Sequence, residues 1–527
     1  MSNNLAGIPG TRAHVDVENL FDVYCELQRP VVANNKNSSN QNLGSVTETF
    51  PTSFRDDKTI KMLQLFATIP SEFENNEVIF YSFVLTSEDP HWRFCFCRSE
   101  GKSIMLVFSR LPWHDIFYKM LAALADVKAQ TPNDFKTFLA NCYRAKVPVK
   151  GQITSVQVGG RIQKVLSLEQ PSFYKLPSIP DNQNLTIFHN LATPYIVLSI
   201  IASLIFERRV IITSRYPDRH SACIQAVNAL LYPMEWQHIF IPILPAQLRD
   251  YLMGPMPYLI GVPLSILETT CRAEIGDAII FNCDAGTYET SYNDAQRLPT
   301  RIMANTEKQL RIGYHKGHEH ISYVFLLMMV RLMGQYRDGI QFESNTPYFC
   351  DFAFLSKRHA SKRSFLLQFL STSMCVHFIN VRLNMLKQES MVWDRFEMES
   401  VLHSRRKRWP KKNYKETDEI CVPRNSLQDQ LFNAMGVTES IKMQLERFQK
   451  SRDYKNAKTH QEMKELFGKY RYILSFATAA YNSIQAQSIE EINNIGYVEI
   501  SSRVRTTDVT MNDKQQSSNN ALNKYFG

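Results

Sequence analysis

The chain opens on a hydrophobic period of two. Residues 20–27 (LFDVYCEL) alternate, with Phe21, Val23 and Cys25 on one face, and predict a strand. Residues 34–49 form a polar loop. Further strands are predicted over 77–85, 92–97 and 103–108, separated by turns at Glu88-Asp89-Pro90 and Glu100-Gly101. The period then lengthens. Ile116, Phe117, Met120, Leu121 and Leu124 recur at helical spacing over 113–127, and a second helix is predicted from 132 to 143. A sheet followed by paired helices, within about 150 residues, makes one small α/β module.

Residues 150–176 predict a hairpin turning at Gly159-Gly160, leading into Pro177-Ser178-Ile179-Pro180. Helices and strands then alternate. A helix through Phe206 precedes a strand at 210–213, a helix at 219–231, a strand at 239–244, a short helix at 246–252, and strands at 258–260 and 277–283. Strands that are apolar on both faces predict a largely parallel sheet covered on both sides, ending near Thr300. Residues 308–403 read as all helical, with helices over 320–335, 348–357, 364–370 and 374–388. A helix-compatible stretch covers 438–483, and the polar end, 501–527, is expected to be disordered. The fold class is α/β: an N-terminal lobe at 14–145, a central lobe with a mostly parallel sheet at 150–300, a helical part at 308–403 and a tail at 404–527.

Composition narrows the class. The 527 residues exceed a single core, and 44% hydrophobic with 21% charged residues excludes collagen-like and wholly disordered chains. The longest apolar stretch, 195–206, has 12 residues and stops at Glu207-Arg208-Arg209, too short for a membrane-spanning helix. The first residues lack the apolar run of a signal peptide, so the expected place is the cytosol. Ten cysteines occur without any C-x-x-C, which predicts reduced, structural thiols.

The net charge of +9 is uneven. Residues 404–527 carry 21 Lys and Arg against 14 Asp and Glu, a net +7, and leave +2 for the first 403. Arg405, Arg406, Lys407, Arg408, Lys411 and Lys412 surround Trp409-Pro410. Such a cluster suits a nuclear signal, a nucleic-acid patch or anionic lipid, and equally a solvated linker.

Local motifs for bond-making chemistry are absent. Gly101-Lys102-Ser103 lacks the upstream glycine of a phosphate loop and reads as a hairpin turn. Trp92-Arg93-Phe94-Cys95-Phe96-Cys97 reads as strand alternation rather than a metal site. His315, His318 and His320 read as a solvated loop. No G-x-S-x-G, H-E-x-x-H or G-x-G-x-x-G occurs. The architecture points to a binding surface.

Longer runs carry a resemblance. Leu111-Pro112-Trp113-His114-Asp115, Leu176-Pro177-Ser178-Ile179-Pro180, Glu207-Arg208-Arg209-Val210-Ile211 and the stretches 221–226, 231–242 and 255–261 resemble the DENN domain family. His91-Trp92-Arg93-Phe94, with Phe96-Cys97-Arg98, is most similar to its connecdenn branch. The resemblance covers about residues 14–403 of the 527. It implies a longin-like first lobe, a central α/β lobe and a helical downstream part. It implies nucleotide exchange on a Rab-family small GTPase, the Rab numbered thirty-five for this branch, in endocytic recycling. No cofactor and no covalent chemistry are implied.

On that reading the GTPase switch segments are gripped between two lobes. The candidate contacts are Asp181 and Asn182, where the lobes meet, and Glu207, Arg208 and Arg209 at a helix-to-strand junction. For the latter three a surface ion-pair cluster is at least as good a reading. Trp236 and Tyr232 read as core, and Asp115 as a cap for the helix at Trp113. Further candidate partners are an anionic phosphoinositide membrane, met by the Arg405–Lys412 cluster, and a clathrin adaptor complex. Nucleic acid is not an expected partner. Tyr470-Arg471-Tyr472-Ile473 and Tyr481-Asn482-Ser483-Ile484 match an adaptor pattern that arises often by chance. The expected location is cytoplasmic, with recruitment to plasma membrane, clathrin-coated vesicles or early endosomes. The alternative function is a trafficking scaffold that binds a Rab or lipid without catalysing exchange.

Overall fold

Alternation along the first strands sends successive side chains to two different covers. The computed structural model describes residues 17–29, 44–68, 77–86, 91–148, 153–157, 165–169, 183–343, 346–387 and 394–406. Strands β1 (Val23–Gln28), β2 (Ser45–Phe50), β3 (Val78–Leu85), β4 (Arg93–Glu100) and β5 (Ser103–Ser109) form an antiparallel sheet in the order β2-β1-β5-β4-β3. Trp92, Phe94 and Phe96 share one buried face, as the pattern predicts. That face packs on α2 (His114–Gln130) and α3 (Pro132–Arg144), with Phe96 stacked on Phe117 at 4.6 Å between ring centroids. Cys95 and Cys97 face the other way, toward α1 (Asp57–Ala67), where Phe83 stacks on Phe66 at 5.4 Å. Gly101 has φ +53° and turns the β4–β5 hairpin, so the Gly-Lys-Ser tripeptide is a turn.

Two elements here escape the hydrophobic pattern. The expected polar loop at 34–49 overlaps β2, an edge strand whose residues are exposed or half-buried and so show no apolar period. Helix α1 starts where Asp56 Oδ1 accepts the Thr59 N–H at 3.0 Å, and its apolar stripe is only Leu63, Phe66 and Ala67 wide.

The predicted hairpin is present as β6 (Ile153–Gln157) and β7 (Val165–Glu169), paired antiparallel; its turn lies outside the described residues. Helices α4 (Gln183–Leu191) and α5 (Pro194–Ile205) follow. Thr193 caps α5, accepting the Ile196 N–H, and Pro194 occupies its first turn, where a missing N–H costs nothing.

The second sheet contains β8 (Val210–Ser214), β9 (Ile239–Ile241), β10 (Tyr258–Pro263), β11 (Ile279–Asn282) and β12 (Thr287–Glu289), in the order β12-β11-β8-β10-β9. The pairs are parallel except at β12, an antiparallel edge. Helix α6 (Pro217–Leu230) makes the crossover after β8. With α5 it covers the face carrying Val210, Ile212, Leu259 and Phe281. A 3₁₀ turn (Ala246–Met253), α7 (Leu264–Glu268) and α8 (Arg272–Ile275) cover the opposite face, with Ile211, Ile260 and Ile280. The mostly parallel sheet, apolar on both faces, is as expected.

The short α9 (Asp294–Arg297) leads into α10 (Thr300–Gly313) and α11 (His318–Met333). The all-helical reading of 308–403 needs correction. A hairpin, β13 (Ile340–Glu343) with β14 (Thr346–Phe349), interrupts it. Tyr348 belongs to β14, and the helix expected from 348 begins later as α12 (Asp351–Ser356). The hairpin is too short to imprint a period. The solvated-loop reading of the histidines also fails at His320. It is buried, its Nε2 lies 3.0 Å from the Gln309 carbonyl, and its ring fills the space that any side chain at Gly313 would need.

Helices α13 (Ala360–Leu370), α14 (Ser373–Lys387) and α15 (Arg395–Arg406) complete the described chain. Helix α15 docks through a buried ionic network. Arg382 meets Asp394 at 2.5 Å, Arg337 meets Glu397, and Asp394 Oδ1 accepts the Glu397 N–H at 2.9 Å. Tyr336 and Tyr323 donate their hydroxyls to Glu397 and Glu399. The expected tail helix at 438–483 and both tyrosine motifs lie outside the described residues.

Candidate functional site

The two sheets meet along a seam built by β3, α2, α4 and α6. β3 is the edge of the first sheet, so some of its backbone groups lack a strand partner. Ser221 on α6 supplies one. Its hydroxyl donates to the Ser82 carbonyl at 2.7 Å and accepts the Ser82 N–H at 3.1 Å. Gln225, one turn on, donates to the Ser82 hydroxyl at 3.4 Å. Near the end of the sheet, Trp92 stacks flat on Phe240 of β9 at 4.5 Å.

At the other side of the seam, His114 packs edge-on against Phe94, Phe96 and Tyr118. Burial pulls its pKa down to about 4, so the ring is neutral near pH 7. Asp115, expected as a cap for its own helix, is not one: the N-cap of α2 is Trp113, with no side-chain cap bond, and Asp115 sits in the first turn and reaches across. Its Oδ1 accepts the Gln183 N–H at 3.2 Å, tying the start of α4 to the first turn of α2. Asp181 and Asn182 lie outside the described residues, immediately before that tie.

Glu207, Arg208 and Arg209 stand at the α5–β8 junction, each holding a different internal partner. Glu207 N–H bonds to the Leu204 carbonyl and Arg208 N–H to the Ser203 carbonyl, the pair of bonds that ends a helix in a left-handed residue. Glycine usually fills that position; here Glu207 does, with φ +53°. Its carboxylate accepts the Met374 N–H at 3.0 Å and lies 3.2 Å from His238 Nε2. Burial pushes the Glu207 carboxyl up, but hydrogen bonds from His238 and the α14 amides outweigh this and hold it below its ordinary value. Arg208 forks onto Asp294 at 3.0 and 3.1 Å and lies over the Tyr292 ring at 4.0 Å. Arg209 donates to the Gly254 carbonyl at 3.3 Å.

A polar crevice lies outside the carboxyl ends of β8 and β11, where ligands gather on open α/β sheets. It measures about 370 Å³ and is lined by Arg215, Tyr216, Arg219, Leu264, Asn282, Asp284 and Ala285. Asp284 organises it. The carboxylate accepts the Ser214 hydroxyl and Arg219 Nη1, both at 2.8 Å, and the Arg215 N–H at 2.7 Å. Arg219 Cζ lies over the Tyr216 ring, 4.0 Å from its centroid.

The structure thus brings Glu207, Arg208 and Arg209 together, with their charges turned to internal partners. Arg405 and Arg406 end α15; Lys407, Arg408, Lys411 and Lys412 lie outside the described residues. Trp236 is fully buried, as read, and the Tyr232 hydroxyl accepts the Phe396 N–H. Sequence reasoning missed Ser82–Ser221 and Arg219–Asp284. No local signal marks them, because their partners are 139 and 65 residues apart.

This two-sheet architecture has a recognised family. Residues 101–286 match the family model described as the DENN (AEX-3) domain. The chain carries a DENN domain. It is 32% identical over 403 residues to DENN domain-containing protein 1A of Homo sapiens, covering 74% of this chain and 38% of that protein. It is 32% identical over 358 residues to protein 1B of Mus musculus, covering 66% and 46%, and 31% identical over 376 residues to mouse protein 1C, covering 67% and 48%. The connecdenn-like resemblance is borne out. The chain matches less than half the length of each of these relatives.

Proposed function

We propose that this chain is a guanine nucleotide exchange factor for a Rab-family small GTPase, of the thirty-five class, acting in endocytic recycling. The DENN domain match, with the similarity to DENN domain-containing protein 1A, is the observation that carries the reading. The seam supports it. Asp115 of α2 accepts the Gln183 N–H of α4, tying an element of each half together, and Asp181 and Asn182, which precede Gln183 in sequence, are the proposed contacts.

The mechanism needs no bond-making residue. A GTPase holds its nucleotide through a phosphate-binding loop, magnesium and switch segments. A protein that binds the nucleotide-free state more tightly than the loaded state accelerates release by that difference alone. A rigid seam serves this end, because the grip must not relax to fit the loaded switches. Recruitment to clathrin-coated or endosomal membrane, through the Arg405–Lys412 cluster or an adaptor, belongs to the same proposal.

The test is release of a preloaded fluorescent nucleotide from a panel of purified Rabs. Acceleration on one or a few members is expected. No acceleration on any member, with retained binding, establishes the scaffold instead.

A further inference from the structure

The crevice of about 370 Å³ at the carboxyl ends of β8 and β11 takes no part in the proposed exchange contacts. Its place in the topology is particular. From β8 the chain crosses one face of the sheet through α6 to β9. From β10 it crosses the opposite face through α7 and α8 to β11. The two connections run in opposite directions, so their loops part between β8 and β11 and leave a gap that neither helix layer covers.

Some donors around the gap are already used. Asp284 takes Arg219 Nη1, the Ser214 hydroxyl and the Arg215 N–H, which fixes the loop that carries both arginines. Asp218, in the first turn of α6, takes the first amides of its own helix, so the helix end supplies nothing further. Other donors are left over. The Arg215 side chain is exposed, and its guanidinium has no ion-pair partner among the described residues. Asn282 Oδ1 accepts the Asp284 and Ala285 N–H groups at 3.0 and 3.1 Å, which leaves its amide nitrogen to donate. Leu264 adds an apolar wall.

Charge limits what fits. Arg215 and Arg219 are matched in number by Asp218 and Asp284. Burial pushes the Asp218 carboxyl up, and the Asp284 charge adds to that push. A dianion would meet both carboxylates. A single charge spread over two coplanar oxygens suits the unpaired guanidinium fork beside an amide donor. We infer that this crevice binds one carboxylate on a short apolar body: the side chain of a Glu or Asp that stands next to an apolar residue in a segment of a partner protein. Arg215 meets the carboxylate, Asn282 donates to it, and Leu264 packs on the apolar neighbour.

The experiment uses the full chain. A capped peptide, acetyl-Leu-Glu-Leu-amide, is titrated calorimetrically beside versions with glutamine or phosphoserine in place of the glutamate. Saturable binding of the glutamate peptide is expected, with the glutamine peptide weaker by about tenfold or more and the phosphoserine peptide no tighter. Arg215→Gln is expected to weaken the glutamate peptide about tenfold at unchanged melting temperature, because the side chain holds nothing else. If that variant melts early, Arg215→Lys, which keeps the charge and loses the fork, takes its place. Absence of binding by the glutamate peptide overturns the proposal. Equal binding of the glutamate and glutamine peptides does so too, as does binding that ignores the change at Arg215. Tighter binding of the phosphoserine peptide also overturns it and makes the crevice a phosphate site. Nucleotide release is not measured, so the outcome stands apart from the exchange reading.

Discussion

Ser221 closes the open edge of the first sheet: one hydroxyl donates to the Ser82 carbonyl and accepts the Ser82 N–H. Both residues are buried, so water cannot substitute for either bond. Ser221→Ala is expected to cost about 1–3 kcal/mol, because two backbone groups lose their partner in a dry seam. Urea unfolding measures it. A loss below about 0.5 kcal/mol, the range of an ordinary surface change, would show that the seam does not depend on this hydroxyl.

Glu207 trades backbone comfort for side-chain contacts. Glu207→Ala is expected to destabilise by about 1–2 kcal/mol, since the α14 amide loses its acceptor. Glu207→Gly loses the same contact but suits φ +53°, so it should be more stable than the alanine variant by about 1 kcal/mol. Equal stability of the two variants refutes the strain argument.

The same carboxyl gives a pH signature. Its folded pKa lies below its ordinary value of 4.5, so its stabilisation is fully present above that pH. It is lost as pH falls through the folded pKa. Stability measured from pH 6 downward should therefore fall more steeply below about 4.5 in the wild type than in Glu207→Gln. Parallel curves would remove Glu207 from the acid response.

Arg208 separates structure from partner contact. Its fork onto Asp294 and its stacking on Tyr292 are geometries that lysine does not reproduce. Arg208→Lys should lower stability by about 1 kcal/mol through these losses. If exchange slows only in proportion to the unfolded fraction, Arg208 is structural. Slowed exchange of fully folded protein places it in the GTPase contact.

Asp181→Ala is expected to behave oppositely, with melting unchanged within about 0.5 kcal/mol and affinity for the nucleotide-free GTPase down about tenfold or more. Wild-type exchange at unchanged melting would move the interface elsewhere.

Helix α15 is the last described element and, with Asp394 just before it, carries the acids of the buried ionic network. A chain ending at Arg406 should keep full exchange activity. One ending at Lys387 removes Asp394, Glu397 and Glu399 and leaves Arg337 and Arg382 buried without these acids. Breaking a buried ion pair from one side costs about 3–5 kcal/mol, so the shorter chain should melt much earlier. Equal melting temperatures for the two chains would show that the network adds nothing.

The sequence by itself determined the elements whose burial follows a period. Trp92, Phe94 and Phe96 announced β4 by alternation. The doubly apolar strands around Val210, Tyr258 and Ile279 announced a sheet covered on both faces. The long runs around Trp113, Glu207 and Trp236 announced the family. In each case the information is local, because a period is fixed by the backbone geometry of one element.

The tertiary structure decided what no period encodes. β2 and the β13–β14 hairpin exist because partners in space complete their hydrogen bonds, not because their side chains alternate. His320 reads as a loop histidine until Gly313 leaves room for its ring. Ser82 and Ser221 carry no motif, and Asp115 reads as an ordinary first-turn acid until Gln183 arrives beside it. The charges of Glu207 and Arg208 read as surface until Met374 and Asp294 take them up. A polar residue's role is set by the one or two groups within about 3 Å of it, and those groups come from distant parts of the chain.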